Sequence, residues 1–246
     1  MSEGRLPGNT GPSPAPAEGR LPLRPPANRL YVIVDTGFFG SGPAAVTSAV
    51  GTLLDCGVRW IQLRAKGVPD LAAWRLAESV GPKFEKASVV DGEDDAPLLW
   101  INDNAAIAGA LASGPQEGLR VGLHLGQRDL PPAVARLSVP PACPIGRSTH
   151  GREQAEEGAG DPAVDALAIG PVFGTRTKER PDPVVGLAGV AQAREVTSKP
   201  LIGIGGIDAE RAPRVIEAGA DAVAVVSALD PRELAASCRR LLRALV

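Results

Sequence analysis

The chain has 246 residues, 44% of them hydrophobic but only 3% aromatic, and a net charge of −2. That length fits one large domain with a core of Val, Leu, Ile and Ala, and the charge excludes a general basic field for nucleic acid or anionic membrane. No apolar run approaches the roughly 20 residues that span a bilayer. Cys56, Cys143 and Cys238 form no C-x-x-C pair, which points to reduced thiols in a cytoplasmic protein.

Residues 1–28 are rich in proline and poor in other apolar types, so burial cannot offset the entropy of ordering them, and a disordered tail is expected. The tail lacks the apolar core of a secretory signal, and Glu3 and Glu18 disfavour a transit peptide. The remaining residues, 29–246, are expected to form one catalytic domain. Its first strand is Leu30 to Asp35, and a helix pattern from Pro43 to Cys56 is closed by Gly57. Arg59 to Leu63 is the second strand, followed by a helix from Asp70 to Lys86 with Asp70 as N-cap. Leu98 to Ile101 is the third, followed by Asn104 to Ala112. The acidic run Asp91 to Asp95 precedes this strand, where barrel enzymes do not place chemistry, and is read as a solvated loop.

Val121 to Leu125 is the fourth strand, with a proline-initiated helix from Pro131 to Leu137. Pro144 to Gly146 is the fifth, with a helix near Arg152 to Glu157. Ala166 to Ile169 is the sixth, followed by a long loop, Gly170 to Gly186, and a helix from Leu187 to Thr197. The stretch Leu201 to Ser227 then reads as strand, Gly205-Gly206 turn, helix from Asp208 to Glu217, and a parallel strand from Ala222 to Val226. Pro231 to Leu245 closes the chain. Eight strand-then-helix units predict an α/β fold, a (β/α)8 TIM barrel, with a doubly wound open sheet as the alternative.

In that phasing the polar residues converge on the strand ends, the face where barrel enzymes carry their chemistry. Gln62, Arg64 and Lys66 follow strand two, Asn102 and Asp103 strand three, and His124, Gln127 and Asp129 strand four. Ser148, Thr149 and His150 follow strand five; the sixth loop adds Thr175, Thr177 and Lys178, and the last two strands add Gly205, Gly206 and Ser227. Arg64, Lys66 and Lys178 have no evident acidic partner in sequence, while Asp103 and Asp129 suit Mg²⁺, which takes oxygen ligands and often only one or two carboxylates. Three cations, one Mg²⁺ and two aspartates sum to about +3, opposite to the charge of about −3 on a diphosphate ester.

Two anion sites follow: a Mg²⁺-diphosphate pocket over strands two to four, and a monophosphate pocket over strands seven and eight. At the latter, glycine backbone and the helix N-terminus supply the donors. His124 and His150 are the only histidines; neither has an acid at triad spacing, and both are read as packing or site-lining groups. No nucleophile elbow appears, so the chemistry is expected to be electrostatic.

Seven blocks, QLRAK at Gln62 to Lys66, IND at Ile101 to Asp103, HLGQRDL at His124 to Leu130, IGRSTH at Ile145 to His150, IGPVFGTRTK at Ile169 to Lys178, IGGI at Ile204 to Ile207 and VVSA at Val225 to Ala228, resemble thiamine phosphate synthase. The resemblance runs in order from about Leu30 to Leu229. It implies a transferase that couples a pyrimidine diphosphate to a thiazole phosphate, gives thiamine phosphate and releases diphosphate. By motif position it assigns Gln62, Arg64, Lys66, Asn102 and Lys178 to the pyrimidine diphosphate, with Ser148 near its ring or leaving group.

The same resemblance implies Mg²⁺ at Asp103 and Asp129, and the thiazole phosphate at Thr175, Thr177, Gly206, Val226 and Ser227. Arg64, Lys66, Ser148 and Lys178 are its catalytic set. Small molecules are the expected partners, with no nucleic acid or membrane, and assembly into homo-oligomers is left open. Departures are Thr36 and the GFFGSG segment, where the family usually shows Asp-Arg after strand one, together with the tail and the acidic insertion. The rival readings are a thiazole tautomerase-like barrel, which has little use for Arg64, Lys66, Asp103 and Asp129, and a non-catalytic barrel that binds thiamine phosphates.

Overall fold

A computed structural model of the protein describes residues 22–91, 96–116, 118–174 and 182–246. Eight parallel strands pair in chain order: β1 (Leu30–Asp35), β2 (Trp60–Arg64), β3 (Leu98–Asn102), β4 (Arg120–Leu125), β5 (Ile145–Thr149), β6 (Ala166–Ile169), β7 (Leu201–Ile204) and β8 (Ala222–Val225). β8 returns to pair with β1, so the sheet is a closed (β/α)8 barrel and the open alternative falls. After β1 come α1 (Thr36–Phe39) and α2 (Pro43–Asp55). After the later strands, among the described residues, come α3 (Asp70–Asp91), α4 (Ala105–Ala112), α5 (Pro132–Ala135) with a 3-10 turn (Arg136–Ser138), α6 (Arg152–Gly160), α7 (Gly186–Val196), α8 (Ala212–Glu217) and α9 (Leu234–Ala244). Among the described residues no helix is long and apolar enough to cross a membrane.

The strands are apolar on both faces because helices cover one and the barrel interior takes the other. A side-chain period of two sorts them. Val32, Val34, Ile61, Leu63, Leu99 and Ile101 join the helices in the outer core, while Tyr31, Ile33, Trp60, Leu98, Trp100 and the alanines of β6 and β8 form a separate interior cluster. Trp60 lies edge-on to both Tyr31 and Trp100, with ring centroids 5.6 and 5.2 Å apart. Space for these rings comes from β4 and β5: a Cβ on Gly122 would sit 2.7 Å from the Trp100 ring, and one on Gly146 2.8 Å from His124 Nδ1. The aromatic layer fills the barrel and leaves the strand ends for polar residues.

The departures from the expected elements are local. β5 runs through Ile145–Thr149, so Ser148 and Thr149 belong to the strand instead of following it. α8 begins at Ala212 instead of Asp208, and the four residues of α1 were not foreseen. Residues 1–21 of the expected tail and 92–95 of the acidic run lie outside the described residues. The rest of that tail is attached: Pro26 is buried, Leu23 packs on the interior cluster, and the Asn28 amide donates to the Gly57 carbonyl while its Oδ1 accepts from the Leu30 N–H.

Candidate active site

All strands deliver their C-terminal ends to one mouth, where a cavity of about 140 Å³ is lined by Gln62, Arg64, Asn102, Ser148, Gly206, Val226 and Ser227 among others. A neighbouring depression between the ends of β2 and β3 holds Lys66 and Asp103, and Asn102 lines both. Asp129 joins them, its carboxyl within hydrogen-bond reach of Asp103. Thr175, Thr177 and Lys178 lie outside the described residues.

Strand register decides what each side chain meets. Gln62 points inward from β2, is buried, and donates through Nε2 to the Tyr31 hydroxyl at 2.6 Å. Burial raises the Tyr31 phenol well above its ordinary range, so it stays neutral. Asp35 and Arg64 are directly paired positions of β1 and β2, and their side chains form an ion pair. The sequence expectation that Arg64 lacks an acidic partner is therefore corrected, and Asp35 cancels one of the positive charges counted for the mouth. Asp35 also caps the unforeseen α1, accepting from Gly37 N–H at 2.9 Å.

The carboxylate pair is built by two turns. Asp103 follows β3 with φ of +62°, a left-handed conformation that Asp tolerates better than most residues. Asp129 folds back so that its Oδ2 accepts from the Gly126 N–H at 2.6 Å. Burial first, then the hydrogen bond and charge of Asp129, push the Asp103 carboxyl up to about 6, against the opposing pull of Lys66 and Arg64. Two facing carboxyls with cations nearby are a donor set that suits a hard divalent cation. Among the described residues no third His, Cys, Asp or Glu completes a cluster, so such an ion would take its other oxygens from substrate and water.

Ser148 sits on the adjacent strand β5, with its Oγ 2.9 Å from His124 Nε2 and its carbonyl accepting from Gln127 Nε2 at 2.6 Å. His150 meets the Gly170 carbonyl at 2.6 Å through Nδ1, and its Nε2 lies 3.4 Å from the Asp182 carboxylate. An acid beside His150 is thus present in space though absent at triad spacing in the chain. Both histidines line the cavity. Burial raises the Cys143 and Cys238 thiols to about 12, which leaves neither as a ready nucleophile.

At the far side of the mouth, Gly205 and Gly206 have φ of +102° and +62°. A Cβ on Gly206 would lie 2.5 Å from the Gly174 carbonyl oxygen, so the close approach of the two loops requires glycine. The helix N-terminus expected to add donors here is displaced: Asp208 Oδ1 accepts from the N–H groups of Glu210 and Arg211 at 3.1 and 2.9 Å, and α8 starts only after them. Gly205 and Gly206 line the cavity together with Val226 and Ser227 of the turn after β8.

The family model described as thiamine monophosphate synthase matches residues 30–229. A thiamine-phosphate synthase of Koribacter versatilis is 41% identical over 218 residues, covering 87% of this chain and 95% of that protein. One of Albidiferax ferrireducens is 37% identical over 230 residues, covering 90% and 95%. The solved thiamine phosphate pyrophosphorylase of Pyrococcus furiosus superposes with a TM-score of 0.66 at 27% identity, over 89% of this chain and 96% of that one.

Proposed function

The chain belongs to the thiamine monophosphate synthase family, and on that premise we propose that it joins 4-amino-2-methyl-5-hydroxymethylpyrimidine diphosphate to 4-methyl-5-(2-phosphoethyl)thiazole, forming thiamine phosphate and releasing diphosphate. The observation that supports this reading is the gathering of both sets of polar groups at one mouth. Arg64 lines the same cavity as Gly206, Val226 and Ser227, and Lys66 and Asp103, with Asp129 against Asp103, line the depression beside it.

Each group then has a task. Gln62 and Asn102 hold the pyrimidine diphosphate where the interior layer meets the mouth, and Arg64, oriented by Asp35, offers its guanidinium to the departing diphosphate. Lys66 and Lys178 add charge there, and Ser148, held by His124 and Gln127, lies by the ring or the leaving group. Asp103 and Asp129 would bind Mg²⁺, which when present neutralises charge on the diphosphate. Thr175, Thr177 and the backbone around Gly206, Val226 and Ser227 receive the thiazole phosphate. The methylene carbon on the pyrimidine loses its diphosphate in a dissociative step, the electron-rich aminopyrimidine stabilises the cation left behind, and the thiazole nitrogen captures it, so no enzyme nucleophile is required.

The test is a steady-state coupling assay with both substrates, with and without Mg²⁺. Thiamine phosphate and diphosphate are expected in equal amounts, only with both substrates present and with rates dependent on the metal. A protein that binds the substrates and leaves them unchanged refutes the reading.

A further inference from the structure

Two consecutive glycines leave the peptides of the β7–α8 turn with little conformational preference of their own. A peptide that must offer its N–H to an anion therefore needs fastening from outside. Arg211 supplies a fastening. Its guanidinium donates to the Gly206 carbonyl oxygen at 2.7 Å and lies 5.0 Å above the Phe173 ring, with Nε 3.8 Å from the Asp208 carboxylate. Phe173 is itself tied to the same turn, since its N–H donates to the Gly205 carbonyl at 2.9 Å.

In a trans peptide the carbonyl and the following N–H point in opposite directions. The Gly206 carbonyl is turned to Arg211, so the Ile207 N–H of that peptide points away from it, and both Gly206 and Ile207 line the cavity. We propose that Arg211 is a positioning residue for the second substrate: by holding the Gly206 carbonyl it fixes the Gly206–Ile207 peptide with its N–H available to the substrate's phosphoryl group. This rests on the function proposed above. The arginine acts through the backbone, and its charge is spent on the carbonyl, the ring and Asp208.

The experiment compares wild type with Arg211→Ala, Arg211→Lys and Phe173→Leu, varying each substrate at saturation of the other. Thermal melting confirms that each variant is folded. Arg211→Ala is expected to raise KM for the thiazole phosphate about tenfold, the effect of one lost orienting hydrogen bond, while KM for the pyrimidine diphosphate stays within about twofold. The change should fall on KM rather than kcat. Arg211→Lys, which keeps a donor for the Gly206 carbonyl, should recover part of the loss, and Phe173→Leu should show a smaller rise of the same kind.

The rise should also persist at high salt, because a positioning effect does not depend on a screened charge contact. An unchanged KM in Arg211→Ala overturns the proposal, and so does a rise that vanishes with added salt, which would make Arg211 a direct ionic contact. If the wild type forms no thiamine phosphate, the functional reading fails first. Arg211 is then judged by thermal shift with inorganic phosphate: weaker stabilisation of Arg211→Ala supports the positioning role, and equal stabilisation refutes it.

Discussion

At Asp103 burial and the facing Asp129 carboxyl impose a local cost on the folded chain. A carboxyl raised to about 6 prefers its protonated form in the folded protein. In the absence of a cation, its contribution to stability is complete below the ordinary value of 3.8 and is lost as pH rises through about 6. Asp103→Asn should therefore melt at a higher temperature than wild type in chelator at pH 8, with the gap closing toward pH 4. Added Mg²⁺ should stabilise wild type and not the variant, and turnover of the variant should fall by about 100-fold or more. Coincident melting curves at pH 8 would show that Asp103 bears no such strain. Asp35 makes the complementary point about legibility. Its tie to Arg64 spans 29 positions and depends on strand register, so the residues at the mouth could be found from motif and phase but their partners could not. Because the pair is in contact, Asp35→Ala and Arg64→Ala should be non-additive in kcat/KM, the double variant losing less than the product of the singles.

Strands were the legible elements because a strand buried on both faces leaves a continuous apolar run, and each strand was located from its run. β5 extends beyond the expected Pro144 to Gly146 because its second half is the polar sequence Arg147, Ser148, Thr149, in which Thr149 is buried and Ser148 and Thr149 line the cavity; polar side chains hid the strand signal. α1 is a single turn without periodicity, and Asp208 carries a capping sequence that closes a turn ahead of the helix. The interior layer was less legible still. Nothing in β4 alone says why Gly122 is glycine, until β3 is seen to lay Trp100 against it. Gly122→Ala should destabilise the barrel by about 1–3 kcal/mol through overpacking, read as a lower urea midpoint at unchanged slope. A wild-type midpoint would mean that the aromatic layer yields without cost.

For the whole molecule, closure is what turns seven scattered motifs into one mouth: only when β8 pairs with β1 does the turn carrying Val226 and Ser227 face Arg64 and Asn102. The same closure leaves the opposite end of the barrel, where strands begin, in need of cover for the interior cluster. Composition alone did not reveal that residues 22–28 take part in it. Leu23 packs on the interior cluster, Pro26 is buried, its carbonyl accepts from the Arg29 N–H at 2.8 Å, and Asn28 bridges to Gly57 in the connection entering β2. A partly buried leucine, a buried proline and one side chain-to-backbone hydrogen bond are together worth about 2–4 kcal/mol. Removal of residues 1–21 takes away none of these contacts and should leave the melting temperature and kinetic constants of the full chain in place. Removal of residues 1–28 should lower the melting temperature by several degrees, roughly as that energy implies for a chain of this size, with kcat at 25 °C largely retained because the mouth lies at the other end. Equal melting of the two truncations would show that the strand-start end of the barrel holds without its cover.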